Sequence, residues 1–94
     1  MIQLLWLPEA KLDLQRLYDF IAPHSEDAAT RAIETLIEAA GTLQDFPQKG
    51  RVWEVIPEFR ELFVRFGSRR YVIRYRAVEN QVIIVRVWHG LEDR

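Results

Sequence analysis

Cysteine is absent from this 94-residue chain. Its absence excludes a disulfide framework, a thiolate metal site and a cysteine nucleophile. Histidine is scarce, with only His24 and His89. Two are too few for a histidine-rich metal centre, and neither a metal nor a cofactor is expected. Long hydrophobic runs are missing as well. The apolar opening, Met1 to Leu7, has no basic segment before it and stops at Pro8. It reads as neither a signal peptide nor a membrane span, so a cytoplasmic protein with no membrane partner is expected. There is no surplus of positive charge: the formal net charge is −1. A strong nucleic-acid binder usually carries such a surplus, so direct DNA binding is not expected of the chain itself.

What is present fits one domain spanning residues 1–94. A chain this short buries only about two thirds of its unfolded surface, which leaves its stability open to help from a bound partner. Charge is unevenly spread. Residues 1–48 hold three Lys/Arg against eight acids, and residues 49–94 hold ten against six. The basic second half is expected to face something anionic.

Hydrophobic spacing gives the elements. Ile2–Leu7 reads as a strand. Pro8 suits the first position of a helix, and Ala10, Leu14, Leu17, Tyr18 and Ile21 make an apolar stripe with Lys11, Asp13, Arg16 and Asp19 between them. This predicts a helix over 8–21, ended by Pro23. Ser25 with Glu26 and Asp27 is a start signal, and Ala29, Ala32, Ile33, Leu36, Ala40 and Leu43 predict a second helix over 26–45. The short gap implies a helical hairpin. Val52–Val55 reads as a short extended piece. Phe59–Phe66, Arg70–Arg76 and Gln81–His89 read as three strands, with turns at Gly67-Ser68 and Glu79-Asn80. The expected class is α+β in the order β-α-α-β-β-β, a helical hairpin packed on one face of a small, mainly antiparallel sheet.

Alternation sorts the strand faces. Leu62, Val64 and Phe66, then Tyr71, Ile73 and Tyr75, then Ile83, Val85 and Val87 form apolar sets that should face the helices. The opposite sets bring together Phe63, Arg65, Val72, Arg74, Arg76, Ile84, Arg86 and Trp88. Arginine and aromatic residues are those enriched at protein interfaces, and the mixture predicts a docking surface for an acidic, partly apolar peptide.

Several segments resemble one known family. Leu5-Trp6, Pro8-Glu9-Ala10, Asp13-Leu14 and Tyr18-Asp19-Phe20-Ile21 are similar to the opening of ParE-type toxins, as are Phe46-Pro47 and Gly50-Arg51 further on. Arg60-Glu61-Leu62, Tyr71-Val72-Ile73-Arg74-Tyr75-Arg76 and Val85-Arg86-Val87-Trp88-His89-Gly90 resemble the strand signatures of the same ParE/RelE group. The resemblance implies the family fold and a cognate antitoxin that wraps and neutralises the toxin. DNA would then be reached only through that antitoxin. It implies one of two actions: ParE-type members are described as inhibitors of DNA gyrase, and RelE-type members as nucleases that cleave messenger RNA in the ribosome. A third outcome is a module that binds antitoxin without being toxic.

RelE-like nucleases resemble one another in placing an arginine where this chain has Val72, beside Tyr71, and in carrying tyrosine near the C-terminus. Here the chain ends Leu91-Glu92-Asp93-Arg94 with no tyrosine after Tyr75. Metal-free RNA cleavage needs an acid, a base and a cation near the phosphate. His89 is the one candidate for proton transfer, with Arg86 or Arg60 as cation, and these count only if the chain is RelE-like. The departure at Val72 favours a gyrase inhibitor with no catalytic residues. The expected antitoxin contacts are Phe63, Arg65, Arg74, Arg86 and Trp88.

Overall fold

Proline sets the start of the first helix, because its fixed φ and missing N–H suit a first turn. The computed structural model describes residues 1–92, and Asp93 and Arg94 lie outside the described residues. The elements are β1 (Gln3–Trp6), α1 (Pro8–Ile21), α2 (Glu26–Gly41), a 3-10 turn (Thr42–Gln44), β2 (Arg51–Val52), β3 (Arg60–Phe66), β4 (Arg69–Val78) and β5 (Gln81–His89). The expected order holds, with the two-residue β2 added. At the start of α2 the Ser25 hydroxyl accepts from the Ala28 N–H at 3.1 Å, as the capping signal implies. The helix tightens into the 3-10 turn three residues before the loop reaches Pro47, where the Thr42 hydroxyl donates to the Ala39 carbonyl.

The five strands form one sheet in the order β1-β5-β4-β3-β2. β1 runs parallel to β5, and the remaining pairs are antiparallel. The α1–α2 connection is the short stretch between Ile21 and Glu26, which makes the two helices packed neighbours. Ala10, Ala29, Ala32 and Ala40 are fully buried, so the helices approach closely. Leu36 and Leu43 from the helical side meet Tyr71, Ile73, Tyr75 and Val87 from the sheet in one core.

One part of the strand-face assignment is corrected. Arg74 pairs with Arg86, yet the next residue, Tyr75, pairs with Ile84. Val85 is therefore an extra residue in β5, a bulge that reverses the alternation. Val82 and Ile84 are fully buried in the core, whereas Ile83 is partly exposed. Ile84 does not belong with the arginines. The continuous apolar run from Val82 to Val85 hides the change of phase.

The loop before β2 is pinned from the core. The Gly50 N–H donates to the Tyr75 hydroxyl, which in turn donates to the Pro47 carbonyl, both at 2.8 Å. A Cβ at Gly50 would stand 2.6 Å from the Tyr75 ring, so only glycine fits this approach. Burial raises the Tyr75 phenol above its ordinary value, against the lowering influence of the Gly50 N–H and Arg60.

Candidate functional site

Register builds the open face, the one away from the helices, as cross-strand rows. Glu61, Arg74 and Arg86 form one row, and Phe63, Val72 and Trp88 form the next. Arg65 and Arg70 sit opposite one another in the row nearest the β3–β4 turn. The face therefore gathers Phe63, Arg65, Arg74, Arg86 and Trp88, together with Val72. Ile84 is excluded by the bulge.

The central arginines are engaged within the protein. Arg74 donates through Nε and Nη2 to Glu61 Oε2 at 3.1 and 2.7 Å. Its guanidinium lies over the Trp53 ring at 3.5 Å and the Trp88 ring at 4.6 Å. Cation–π attraction and charge pairing thus act on the same group. Side-chain exposures of 12% for Arg74 and 8% for Glu61 mark the pair as buried. Trp88 retains 7% exposure and Val72 2%, whereas Phe63 retains 51%. Of the two aromatic rings that the strands themselves place on this face, Phe63 is the one that offers area to a partner.

Arg86 is held differently. β1 covers β5 only as far as Ile84, so the edge beyond lacks a neighbouring strand. Side chains of α1 take that place. Asp13 Oδ2 accepts from the Val87 N–H at 2.8 Å, and Arg16 Nη2 donates to the Val87 carbonyl at 3.2 Å. The Asp13 carboxylate also accepts a two-pronged pair from Arg86 at 2.7 and 3.0 Å. That bond is the main cause holding the Arg86 guanidinium above its ordinary pKa. Glu92 continues the pattern, accepting from the His89 N–H at 2.7 Å and from Arg16. The exposed edge is thereby satisfied by side chains instead of by another strand.

His89 and its two alternative cations, Arg60 and Arg86, are not gathered on one face. Arg60 lies opposite Tyr75, and its guanidinium donates to the Gln48 and Gly50 carbonyls, tying down the loop before β2. His89 lies opposite Tyr71. Four strand positions separate these rows, about 13 Å at roughly 3.3 Å per residue, with two strand spacings of about 4.8 Å across. Alternation places Arg60 and His89 on the helical side and Arg86 on the open side. The His89 Nδ1 accepts from the Leu91 N–H, and its ring meets Tyr71 edge-on at 5.4 Å, leaving Nε2 for any ligand.

Three residues that organise this face were not singled out by sequence reasoning. Asp13 reads as part of the polar face of α1, yet it is 5% exposed. The signal was its spacing, since Ala10, Asp13, Leu17 and Ile21 are the buried stripe of that helix. Glu61 falls on the face of Phe63 and Arg65 by alternation, as an acid among arginines. Trp53 gave only a weak signal, a single indole in a segment read as extended. It stands in the turn after β2, where its backbone N–H donates to the Phe59 carbonyl at 2.9 Å.

Comparison with known proteins agrees with this architecture. A family model described as "ParE toxin of type II toxin-antitoxin system, parDE" matches residues 4–94. Toxin RelE1 of Caulobacter vibrioides is 40% identical over 85 residues, covering 90% of this chain and 89% of its own length. Toxin RelE2 of the same organism is 37% identical over 90 residues, covering 96% of this chain and 97% of its own length. A solved structure described as the chromosomal ParDE TA system from P. aeruginosa aligns with a TM-score of 0.80 over 95% of this chain and 96% of that one. At 24% identity, this last likeness shows the fold alone.

Proposed function

Since the chain belongs to the ParE toxin family of type II toxin–antitoxin systems, we propose that it acts by binding DNA gyrase and inhibiting it, without catalysis of its own. A toxin of this class has a cognate antitoxin as its partner. The observation that carries the non-catalytic reading is the dispersal of the proton-transfer and cationic groups. Arg86 is tied to Asp13, Arg60 is tied to a loop, and His89 stands at the far end of the sheet. Val72 fills the place of the nuclease arginine with a buried isopropyl group, which can neither move a proton nor meet a phosphate. Inhibition by binding needs only a rigid, shaped surface.

In this reading the antitoxin docks on the open face. Phe63, Arg65 and the exposed part of Arg86 make contact, while Arg74 and Trp88 hold the platform beneath. Acidic antitoxin side chains would pair with the exposed arginines, and Phe63 would supply apolar area. Purified, antitoxin-free chain is expected to block supercoiling by gyrase. Full supercoiling in the presence of folded chain would reject the proposal.

A second reading, ribosome-dependent cleavage of message, is favoured by the RelE names of the relatives. It requires His89 to transfer a proton through Nε2. Under it, message in a translating extract is cut, and His89→Ala abolishes the cut. Intact message removes it.

A further inference from the structure

A strand edge left without a neighbour invites another strand, and charged side chains are the usual guard against it. Such edges occur at both sides of this sheet. Beyond Ile84 the β5 edge is filled by Asp13, Arg16 and Glu92. On the far side β2 carries Arg51, and the part of β3 beyond it carries Arg65, both exposed. The β1 edge has no such guard, for no charged side chain occurs from Met1 to Pro8. The Gln3 N–H donates to the Asn80 carbonyl and the Leu7 N–H to the Ile84 carbonyl, so the odd-numbered residues bond β5. Backbone groups alternate in direction along a strand, and Leu4 and Trp6 therefore turn their N–H and C=O groups to the open side. Among the described residues these groups have no hydrogen-bond partner. Ile2 points the same way, but its carbonyl already accepts from Gln44 Nε2 at 2.8 Å. Leu5 and Leu7, beside the free groups, are exposed.

We propose that the β1 edge is a self-association surface, which pairs antiparallel with β1 of a second copy of this chain about a two-fold axis at Leu5. Leu4 then lies opposite Trp6 of the second copy, and each such pair exchanges N–H to C=O bonds in both directions. Every free backbone group of the Leu4 and Trp6 edges is used. An axis at Leu4 would set Ile2 against Trp6 and compete with the Gln44 bond, so the Leu5 axis is favoured. At that axis the two Leu5 side chains meet on the open face beside Ile83, in the closer, non-hydrogen-bonded kind of pair. The absence of charge selects the occupant. An acidic or basic partner strand finds no counter-ion on this edge, whereas a second β1 brings uncharged side chains and a matching set of backbone groups. The proposal is independent of the gyrase reading, because it concerns copies of this chain and not its target.

The absence of cysteine makes the pairing directly readable. In the single-cysteine variant L5C the two thiols face each other across the axis, with Cα atoms about 4.5 Å apart, and mild oxidation is expected to give a covalent dimer. In Q3C the two cysteines are displaced by about 13 Å along the strands, at roughly 3.3 Å per residue, and at least about tenfold less covalent dimer is expected. Sedimentation of the unmodified full chain should show a monomer–dimer equilibrium. L5R sets like charges across the axis and should raise the dissociation constant by at least about tenfold. Because Leu5 is exposed, the far-UV circular dichroism of L5R should match that of the parent. A chain that stays monomeric at about 1 mM, equal crosslinking of L5C and Q3C, or an unchanged dissociation constant in L5R would each overturn the proposal. The first of these would leave the edge to a strand of a different protein.

Discussion

Of the seven arginines on strands β3, β4 and β5, five carry the same charge on the same kind of element yet fall into two contrasting groups. At the centre of the sheet, Arg74 and Arg86 have each been met by an acid, Glu61 and Asp13. At the turn end, Arg65, Arg69 and Arg70 have no acid partner among the described residues, and two of them oppose each other. The contrast shows that an arginine-rich strand face is not one functional object. A guanidinium whose donors are filled by neighbours holds the fold, and one whose donors remain open is available to a partner.

The comparison breaks first at Glu61. Glu61→Ala leaves Arg74 buried between two indoles without its anion, and the expected loss is about 3–5 kcal/mol in denaturant unfolding. A loss below about 1 kcal/mol would mean that the pair behaves like a surface salt bridge. Asp13→Asn comes next, with about 2 kcal/mol expected. Its carboxylate satisfies the buried Val87 N–H as well as Arg86, although the 40% exposure of Arg86 limits the charge contribution.

Tyr75→Phe sharpens the comparison from below, because Tyr75 fixes the loop that leads to Trp53. The expected loss is about 1–2 kcal/mol from two hydrogen bonds. Its pH dependence follows from the phenol. Burial raises the folded value above 10.0, so the neutral form is favoured by folding. The contribution is complete below 10.0, the unfolded value, and is lost as pH rises through the higher folded one. Urea titrations across the alkaline range should show that decline in the parent and a flatter one in Tyr75→Phe. Smallest of all, Arg70→Ser should change stability by no more than about 0.5 kcal/mol at moderate salt, and in the favourable direction. A clear loss there would place Arg70 with the structural group.

Much of this fold was legible because local signals and burial agree. Pro8 and the 10/14/17/21 spacing define α1, Ser25 starts α2, and the two turns divide β3, β4 and β5. The bulge at Val85 was not legible, since Ile83, Ile84 and Val85 are interchangeable in an alternation pattern and only the register with β4 decides which face each takes. The residues gathered on the open face were largely legible for the same reason that the strands were. Their pairing was not. Asp13 acts across the end of β1, and Trp53 acts from a loop. Both contacts depend on how elements distant in sequence come together, which no local period encodes. The opposition of Arg70 and Arg65 likewise depends on the register of β4 against β3.

The division between committed and open guanidinium groups can be read directly by measuring hydrogen exchange at the arginine Nε–H positions of the free protein by NMR. Arg74 and Arg86, whose Nε groups donate to carboxylates at 3.1 and 2.7 Å, are expected to exchange at least about tenfold more slowly than Arg65, Arg69 and Arg70. Similar rates at all five would contradict the account, because the centre of the sheet would then be as free for a partner as the turn end.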